Sequence, residues 1–303
     1  MRLFQSLKMT SLNDLIKHFR KIEIRAKGLV DDNLSGEYKT AFKGRGIDFH
    51  DLREYLHGDE VRSIDWNTTA RTGDPYVKQF VEQRELSIYL AVDITKSINY
   101  GSINNSRHHL AALISTVLSL SAARNGDRVG FIFFSNKIEH FAEPQKGQIH
   151  CMKILRKLIN HDPPPAISNP GACLEFIMKR QKKRSMIFLI SDFLSEGFEN
   201  ELKICSHKND LVAIQIIDPA EIELPTAGKV YVKNPENDKS YLMDTNDKLI
   251  QDNYKIQRNK WQENLDNIFK TNKIDHLKLI NDENCDPAKA LKILFKSRAT
   301  NNR

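Results

Sequence analysis

The chain has 303 residues, of which 40% are hydrophobic and 28% are charged, so it can bury a large core as one large domain or two smaller ones. Its 46 basic and 39 acidic residues give a net charge of +7 with both signs interspersed, which predicts a mildly basic surface. The four cysteines lie far apart, which excludes a C-x-x-C zinc site, and no stretch approaches the roughly 20 apolar residues of a membrane helix. We therefore expect a cytoplasmic protein without membrane insertion.

The first part of the chain differs in pattern from the rest. Residues 11–28 have apolar side chains at helical spacing and predict a helix that packs on the main domain. Residues 35–85 are loop-rich, because glycines separate short segments dense in arginine, aspartate and glutamate. We assign residues 1–84 to an N-terminal helix and a Gly/Arg/Asp-rich extension, and residues 85–303 to the main domain.

After residue 85, apolar strand-like segments alternate with helix-like segments. Strands are predicted at residues 86–92, 128–134, 186–191, 211–217 and 276–280. Helices are predicted at residues 107–124, 149–159, 172–180, 198–207 and 247–270, with another opening near residue 286. Two apolar segments around a polar turn predict a hairpin near residues 229–244. The alternation predicts an α/β fold with a doubly wound, mainly parallel sheet and helices on both faces.

Polar side chains follow two of the predicted strands. Asp93, Thr95 and Ser97 come directly after the strand at residues 86–92, and Asp192 follows the strand at residues 186–191. Ligands of open α/β sheets lie beyond the carboxyl ends of the strands, so these side chains can converge there. An incomplete set of hard oxygen donors suits Mg²⁺, with Mn²⁺ as the second choice. The alternative is that both aspartates only cap the loops and helices that follow.

Several short segments share a pattern with one bacterial family. They read G-R-G-I-D-F at residues 44–49, D-L-R-E-Y at 51–55, G-D-E-V-R at 58–62, I-D-W at 64–66, A-R-T-G at 70–73, G-D-R-V-G at 126–130, I-S-D-F at 190–193 and D-P-A-E at 218–221. On these residues the chain resembles the DUF58 family, the domain of unknown function fifty-eight. The resemblance covers nearly the whole chain after about residue 15.

This resemblance implies a von Willebrand factor A-like domain with a metal-ion-dependent adhesion site (MIDAS). Such a site binds Mg²⁺ and leaves one coordination position open for a carboxylate of a partner protein. Its Asp-x-Ser-x-Ser element falls on Asp93, Thr95 and Ser97, with threonine in place of the first serine. The family's separate threonine falls on Ser168, which Asn169 and Pro170 follow, and its last aspartate falls on Asp192.

Members of the family often accompany MoxR-type AAA+ ATPases. The resemblance therefore implies a non-enzymatic, metal-dependent protein-interaction module that acts as an adaptor or chaperone-like partner of such an ATPase in maturing or remodelling a client protein. One alternative is a Mg²⁺-dependent phosphoester hydrolase, since two aspartates near a cation can also activate water. Another is a weak nucleic-acid binder, although we expect no nucleic-acid partner.

The N-terminal block alternates arginines with carboxylates, which allows bidentate ion pairs. It is either a structural latch or a docking surface, in which case Arg53, Tyr55, Asp65 and Trp66 are the candidate partner-binding residues.

The basic cluster at residues 179–184 is either a solvated helix end or a contact for nucleic acid or another anionic surface. Neither a Gly-x-Ser-x-Gly elbow nor a Gly-Lys-Ser/Thr phosphate loop occurs, so we predict no catalytic residues.

Overall fold

The fold is taken from a computed structural model of the protein. It describes residues 26, 29–30, 32–42, 48–56, 58–81, 86–99, 106–161, 164, 166–181, 183–233 and 240–301. The helix predicted over residues 11–28 lies outside the described residues, apart from residue 26.

Strands and helices alternate along most of the described chain. The strands are β1 Asp48–Glu54, β2 Tyr76–Val81, β3 Ser87–Asp93, β4 Arg128–Phe134, β5 Ile138–Gln145, β6 Met186–Ser191, β7 Asp210–Ile217, β8 Lys229–Lys233, β9 Ser240–Asp244 and β10 Asp275–Ile280. The helices are α1 Asp32–Ala41, α2 Trp66–Thr72, α3 Lys96–Asn99, α4 Arg107–Arg124, α5 Gln148–Ile159, α6 Pro170–Arg180, α7 Glu199–Lys208, α8 Pro219–Ile222, α9 Lys248–Thr271 and α10 Pro287–Asn301, with a 3-10 turn at Val61–Ser63.

A six-stranded sheet in the order β10-β7-β6-β3-β4-β5 forms the centre of the fold. All neighbouring strands are parallel except β5, which runs antiparallel to β4. The predicted doubly wound, mainly parallel fold is confirmed. The sequence did not predict β5, because this edge strand is polar and only partly buried and so lacks a continuous apolar run.

The central strands bury both of their faces. Ile88, Leu90 and Val92 of β3 point into one hydrophobic cluster, whereas Tyr89 and Ala91 point into a second. Side chains of α1, α4, α5 and α10 belong to the first cluster, and side chains of α6, α7 and α9 belong to the second. Helices therefore cover both faces of the sheet, which is why β3 appears in the sequence as an unbroken apolar run.

The N-terminal part contains more regular structure than its sequence indicated. Strands β1 and β2 pair antiparallel in a separate two-stranded sheet, and α2 lies between them in sequence. The expectation of loops was wrong here, because backbone pairing forms this small sheet from segments without a clear apolar period. Helix α1 contributes Leu34 and Tyr38 to the first hydrophobic cluster. The domain boundary near residue 84 stays a prediction.

The predicted hairpin near residues 229–244 is confirmed. Strands β8 and β9 pair antiparallel through five residue pairs, from Lys229 with Asp244 to Lys233 with Ser240. They form their own two-stranded sheet instead of extending the central one.

Candidate functional site

The register of two neighbouring strands brings the two site aspartates together. Strand β3 pairs with β6 so that Val92 lies opposite Ile190. The next residues, Asp93 and Ser191, are therefore level at the carboxyl ends of the strands, and the Ser191 hydroxyl donates to Asp93 Oδ2 at 2.8 Å. Asp192 follows directly, and both aspartates are almost fully buried. The convergence expected at the strand ends is thus present in the structure.

Hydroxyl groups surround the Asp93 carboxylate. Oδ1 accepts from the backbone N–H of Thr95 at 2.9 Å and from the Thr95 hydroxyl at 2.7 Å. The Thr95 and Ser97 hydroxyl oxygens are 2.9 Å apart. Because the Thr95 proton is given to Asp93, Ser97 is the donor in this second hydrogen bond. The sequence spacing of alternate residues therefore produces a chain of hydroxyls that leads to one carboxylate.

Ser168 reaches the same carboxylate from a distant loop. Its hydroxyl donates to Asp93 Oδ2 at 2.5 Å. The next residue, Asn169, caps α6 by accepting from the backbone N–H of Ala172 at 2.9 Å, and its own N–H donates to the Ser135 carbonyl just beyond β4 at 2.9 Å. Asn169 and Pro170 therefore serve as the helix start, which positions Ser168 at the sheet edge.

Asp192 lies in a turn that leaves one of its carboxylate oxygens buried without a hydrogen-bond donor among the described residues. Oδ1 accepts from the backbone N–H of Leu194 at 3.1 Å, while the next residue, Phe193, has a left-handed φ of 58° and a fully buried side chain. Oδ2 is buried and accepts no hydrogen bond from the described residues. Arg107 Nη1 lies 3.7 Å from that oxygen. A buried carboxylate oxygen without a hydrogen-bond donor is uncommon in folded proteins, so Asp192 stands out among the residues at this sheet edge.

The electrostatics of the site oppose two ionised carboxylates. Burial, together with the nearby charge of Asp192, raises the pKa of Asp93 to about 6, although the hydrogen bonds from Ser168 and Thr95 act in the opposite direction. A positive ion between the two carboxylates would relieve both effects, since it restores the favourable environment that water gave the charges.

Three further charged residues adjoin the site, and the sequence did not predict their role. Arg107, the first residue of α4, hydrogen bonds through Nη1 to Glu221 Oε1 and through Nη2 to the backbone carbonyl of Ser97. Arg258 Nη2 of α9 lies 3.7 Å from Glu221 Oε2. Burial raises the pKa of Glu221 to about 7, and Asp192 contributes to this increase while Arg107 opposes it. The D-P-A-E segment was the available signal, but it did not indicate a contact with Arg107.

The donor set fits a hard cation better than a soft one. Two carboxylates and three hydroxyls offer only oxygen ligands. Across the described ranges, no cluster of three or more His, Cys, Asp or Glu residues is arranged to hold a metal, so a site made of those residue types alone is not found there. A hydroxyl that donates its proton, as Thr95 and Ser168 do to Asp93 and Ser97 does to Thr95, keeps an oxygen lone pair for a cation. Thr95, Ser97 and Ser168 could therefore hold an ion without giving up these hydrogen bonds, while Asp192 supplies a free carboxylate oxygen.

The four candidate partner-binding residues lie on or beside the separate β1–β2 sheet. Arg53 makes a bidentate ion pair with Asp59, with both distances 2.7 Å, and this contact lowers the pKa of Asp59 to about 2. Asp65 caps α2 by accepting from the backbone N–H of Asn67 at 3.1 Å. Trp66 is 64% exposed, and Tyr55 is half-buried. Arg53 and Asp65 thus have structural contacts, whereas Trp66 is available to a partner; whether one binds there stays a prediction.

The basic cluster at the end of α6 makes contacts within the chain. Lys179 pairs with Glu175 at 2.6 Å, and the Arg180 guanidinium lies 5.0 Å from the ring centres of both Phe141 and Phe176. These contacts favour the interpretation as a solvated helix end.

Fold and site together define a doubly wound α/β protein with a buried, hydroxyl-rich acidic site at the carboxyl ends of its central strands. The chain belongs to the family described as protein of unknown function DUF58, whose model matches residues 51–264. Two similar relatives are uncharacterized protein Rv1480 of Mycobacterium tuberculosis and uncharacterized protein Mb1516 of Mycobacterium bovis. Each is 27% identical over 221 residues, which covers 72% of this chain and 70% of the relative.

Solved structures with a similar arrangement include the conserved hypothetical protein BatB from Bacteroides thetaiotaomicron. It is 16% identical, with 71% of this chain and 99% of that chain covered and a TM-score of 0.46. A von Willebrand factor type A protein from Catenulispora acidiphila is 10% identical, with coverage of 74% and 44% and a TM-score of 0.37. Likenesses of this strength assign neither a ligand nor an activity. Among the helices that the structure describes, each is too short or too polar to cross a bilayer.

Proposed function

We propose that the protein is a non-enzymatic, metal-dependent protein-interaction module. Its ion is Mg²⁺, with Mn²⁺ as the second choice, held by Asp93, Thr95, Ser97, Ser168 and Asp192. Its partner is a MoxR-type AAA+ ATPase, for which it acts as an adaptor or chaperone-like component in the cytoplasm. The single observation that carries the proposal is the group of three hydroxyls around the buried Asp93 carboxylate, with the buried Asp192 following the neighbouring strand at the same sheet edge.

A bound ion would supply a positive centre that attracts a carboxylate of the partner without any covalent step. The chain's own residues prepare that centre. Ser191 and the backbone of Thr95 fix the Asp93 carboxylate, and Asp93 in turn orients the hydroxyls of Thr95 and Ser168. Because these hydrogen bonds are present before binding, little ordering of the side chains is required when the partner arrives.

Exposed apolar side chains next to the site residues support a protein partner. Ile167 precedes Ser168 and is 57% exposed, Leu194 follows Asp192 by two positions and is 42% exposed, and Ile222 follows Glu221 and is 38% exposed. A polar centre beside exposed apolar side chains is the composition expected of a protein-binding surface. A small anionic substrate would gain nothing from these three side chains.

Calorimetric titration of Mn²⁺ and Mg²⁺ into metal-free protein tests the metal site. We expect wild type to bind and Asp93→Asn, which keeps the side-chain shape, to lose binding. Thr95→Ser and Thr95→Val form a matched pair, because only the serine variant keeps the hydroxyl. Binding that survives in Asp93→Asn, or is equal in the two Thr95 variants, would contradict the assigned ligands.

Capture of a MoxR-type ATPase from the same genome tests the partner. We expect capture by the metal-loaded protein, with loss after chelation and in Asp93→Asn. A triple variant, Ile167→Ser, Leu194→Ser and Ile222→Ser, should weaken capture while metal affinity stays the same. Turnover of a phosphoester by wild type that disappears in Asp192→Ala would instead favour the hydrolase alternative.

A further inference from the structure

One buried arginine connects the candidate metal ligands with a second charged group. Arg107 is 5% exposed, and its two terminal nitrogens point to different partners. Nη2 donates to the backbone carbonyl of Ser97, and Nη1 donates to Glu221 while lying 3.7 Å from Asp192 Oδ2. Arg107 therefore contacts the backbone of one candidate ligand and lies beside the carboxylate of another.

An arginine guanidinium carries a permanent positive charge in proteins. In a buried environment that charge interacts strongly with Asp192, whose Oδ2 has no hydrogen-bond donor among the described residues. A divalent cation held by Asp192 would meet the same guanidinium at short range. Arg107 thus stabilises the metal-free site and opposes the entry of a second positive charge.

Glu221 restrains this arginine. It accepts a hydrogen bond from Arg107, while Arg258 Nη2 lies 3.7 Å from its second carboxylate oxygen. Arg258 is itself held over the ring of Trp261, with 4.3 Å between the guanidinium carbon and the ring centre. The hydrogen bond to Glu221 holds Arg107 beside Asp192, and Arg107 does not hydrogen bond to Asp192 itself.

We propose that Arg107 sets the metal affinity of the site as an internal cation that competes with the divalent ion for Asp192, and that Glu221 limits this competition. The inference rests on the proposed metal site and adds to it a residue outside the ligand set. The exchange is one of charge only, since no bond of the protein forms or breaks. Its consequence is a site that stays folded without metal and binds the ion reversibly.

Titration of Mn²⁺ into metal-free wild type, Arg107→Gln, Arg107→Lys and Arg258→Gln tests the proposal. We expect Arg107→Gln to bind Mn²⁺ about tenfold more tightly, because the competing charge is gone, while Arg107→Lys stays close to wild type. Arg258→Gln is the matched control, since it removes the same charge from a residue that pairs with Glu221. Its effect should be under about threefold if the action of Arg107 on Asp192 is direct.

Thermal unfolding gives an independent measurement. In chelator, Arg107→Gln should unfold at a lower temperature than Arg258→Gln, and Mn²⁺ should recover more of the loss in the first variant. If Arg107→Gln does not fold, Glu221→Gln provides the opposite test: it frees Arg107 to bind Asp192, so Mn²⁺ binding should weaken.

Unchanged or weaker Mn²⁺ binding in folded Arg107→Gln would overturn the inference and leave the metal site intact. An equal increase in Mn²⁺ affinity in Arg258→Gln would also overturn it, because the loss of any nearby positive charge would then explain the result. With Glu221→Gln, unchanged or tighter binding would overturn it. If wild type binds neither Mn²⁺ nor Mg²⁺, this inference and the metal-dependent function fail together.

Discussion

Two buried arginines at opposite ends of the central sheet meet acidic residues in different ways. Arg298 of α10 lies at the amino ends of β7 and β10, where its terminal nitrogens donate to Asp210 and Asp275 at 2.5 Å each. Arg107 lies at the carboxyl ends, where it hydrogen bonds to Glu221 but stays 3.7 Å from Asp192. Arg298 donates to both of its carboxylates, whereas Arg107 donates to Glu221 but not to Asp192, whose Oδ2 has no donor among the described residues.

This difference separates a structural ion pair from a candidate binding site. The guanidinium of Arg298 also lies 4.7 Å from the ring centre of Phe42, so it joins α10 to the core. Its two carboxylates are partly exposed, which reduces the cost of desolvating them. At the other end, Asp192 is buried and its Oδ2 has no hydrogen-bond donor among the described residues, which makes the burial of its charge costly.

The largest effect on stability is expected at Arg298. Arg298→Ala removes the only common partner described for Asp210 and Asp275, and it should lower the free energy of unfolding by about 3 kcal/mol. Urea unfolding measures this change. Mn²⁺ affinity should stay within about twofold of wild type, and a large loss of affinity would contradict the separation of the two ends.

A pH effect of about 2 kcal/mol is expected at the other end. The pKa of Asp93 is raised from 3.8 to about 6 in the folded protein, so its proton stabilises the fold. That contribution is fully present below about pH 4 and is lost as the pH rises through about 6. Metal-free wild type should therefore lose more stability between pH 4.5 and about pH 8 than Asp93→Asn, as measured by urea unfolding. Identical pH profiles of wild type and Asp93→Asn would show that the pKa of Asp93 is not raised by folding.

A matched pair of carboxylate variants compares the two ends directly. Asp192→Asn should weaken Mn²⁺ binding at least tenfold, which corresponds to about 1.4 kcal/mol. Asp210→Asn, at the opposite end, should leave Mn²⁺ binding unchanged and lower stability instead. Titration calorimetry gives the Mn²⁺ affinity of each variant, and urea unfolding gives its free energy of unfolding. Loss of Mn²⁺ binding in Asp210→Asn would show that the two ends of the sheet do not differ in this way.

The smallest effect is expected at Arg53, whose ion pair with Asp59 is partly exposed. Arg53→Ala should change the free energy of unfolding less than the Arg298 variant does, because solvent screens an exposed ion pair. Arg71→Ala, an exposed arginine on α2, is the control. Unchanged stability with weaker ATPase capture in Arg53→Ala would favour a docking surface, whereas lower stability with normal capture would favour a latch.

The sequence was informative where structure depends on local burial. Strands β4 and β6 and helix α4 begin and end at the predicted residues, because apolar side chains at regular spacing define the buried face of each element. It was less informative for β1, β2 and β5. These strands are held by backbone pairing at a sheet edge or in a small two-stranded sheet, and none of them has a continuous apolar run.

The sequence by itself determined where the apolar strands lie along the chain and that Asp93 and Asp192 stand at the ends of two of them. The resemblance to a known family added Ser168, which lies 75 residues from Asp93 in the chain. Only the tertiary structure decided that Arg107 meets Glu221, 114 residues away, beside an aspartate with an unused oxygen. The physical reason is that burial patterns are local, whereas the pairing of distant charges depends on how the loops at the sheet edge are packed.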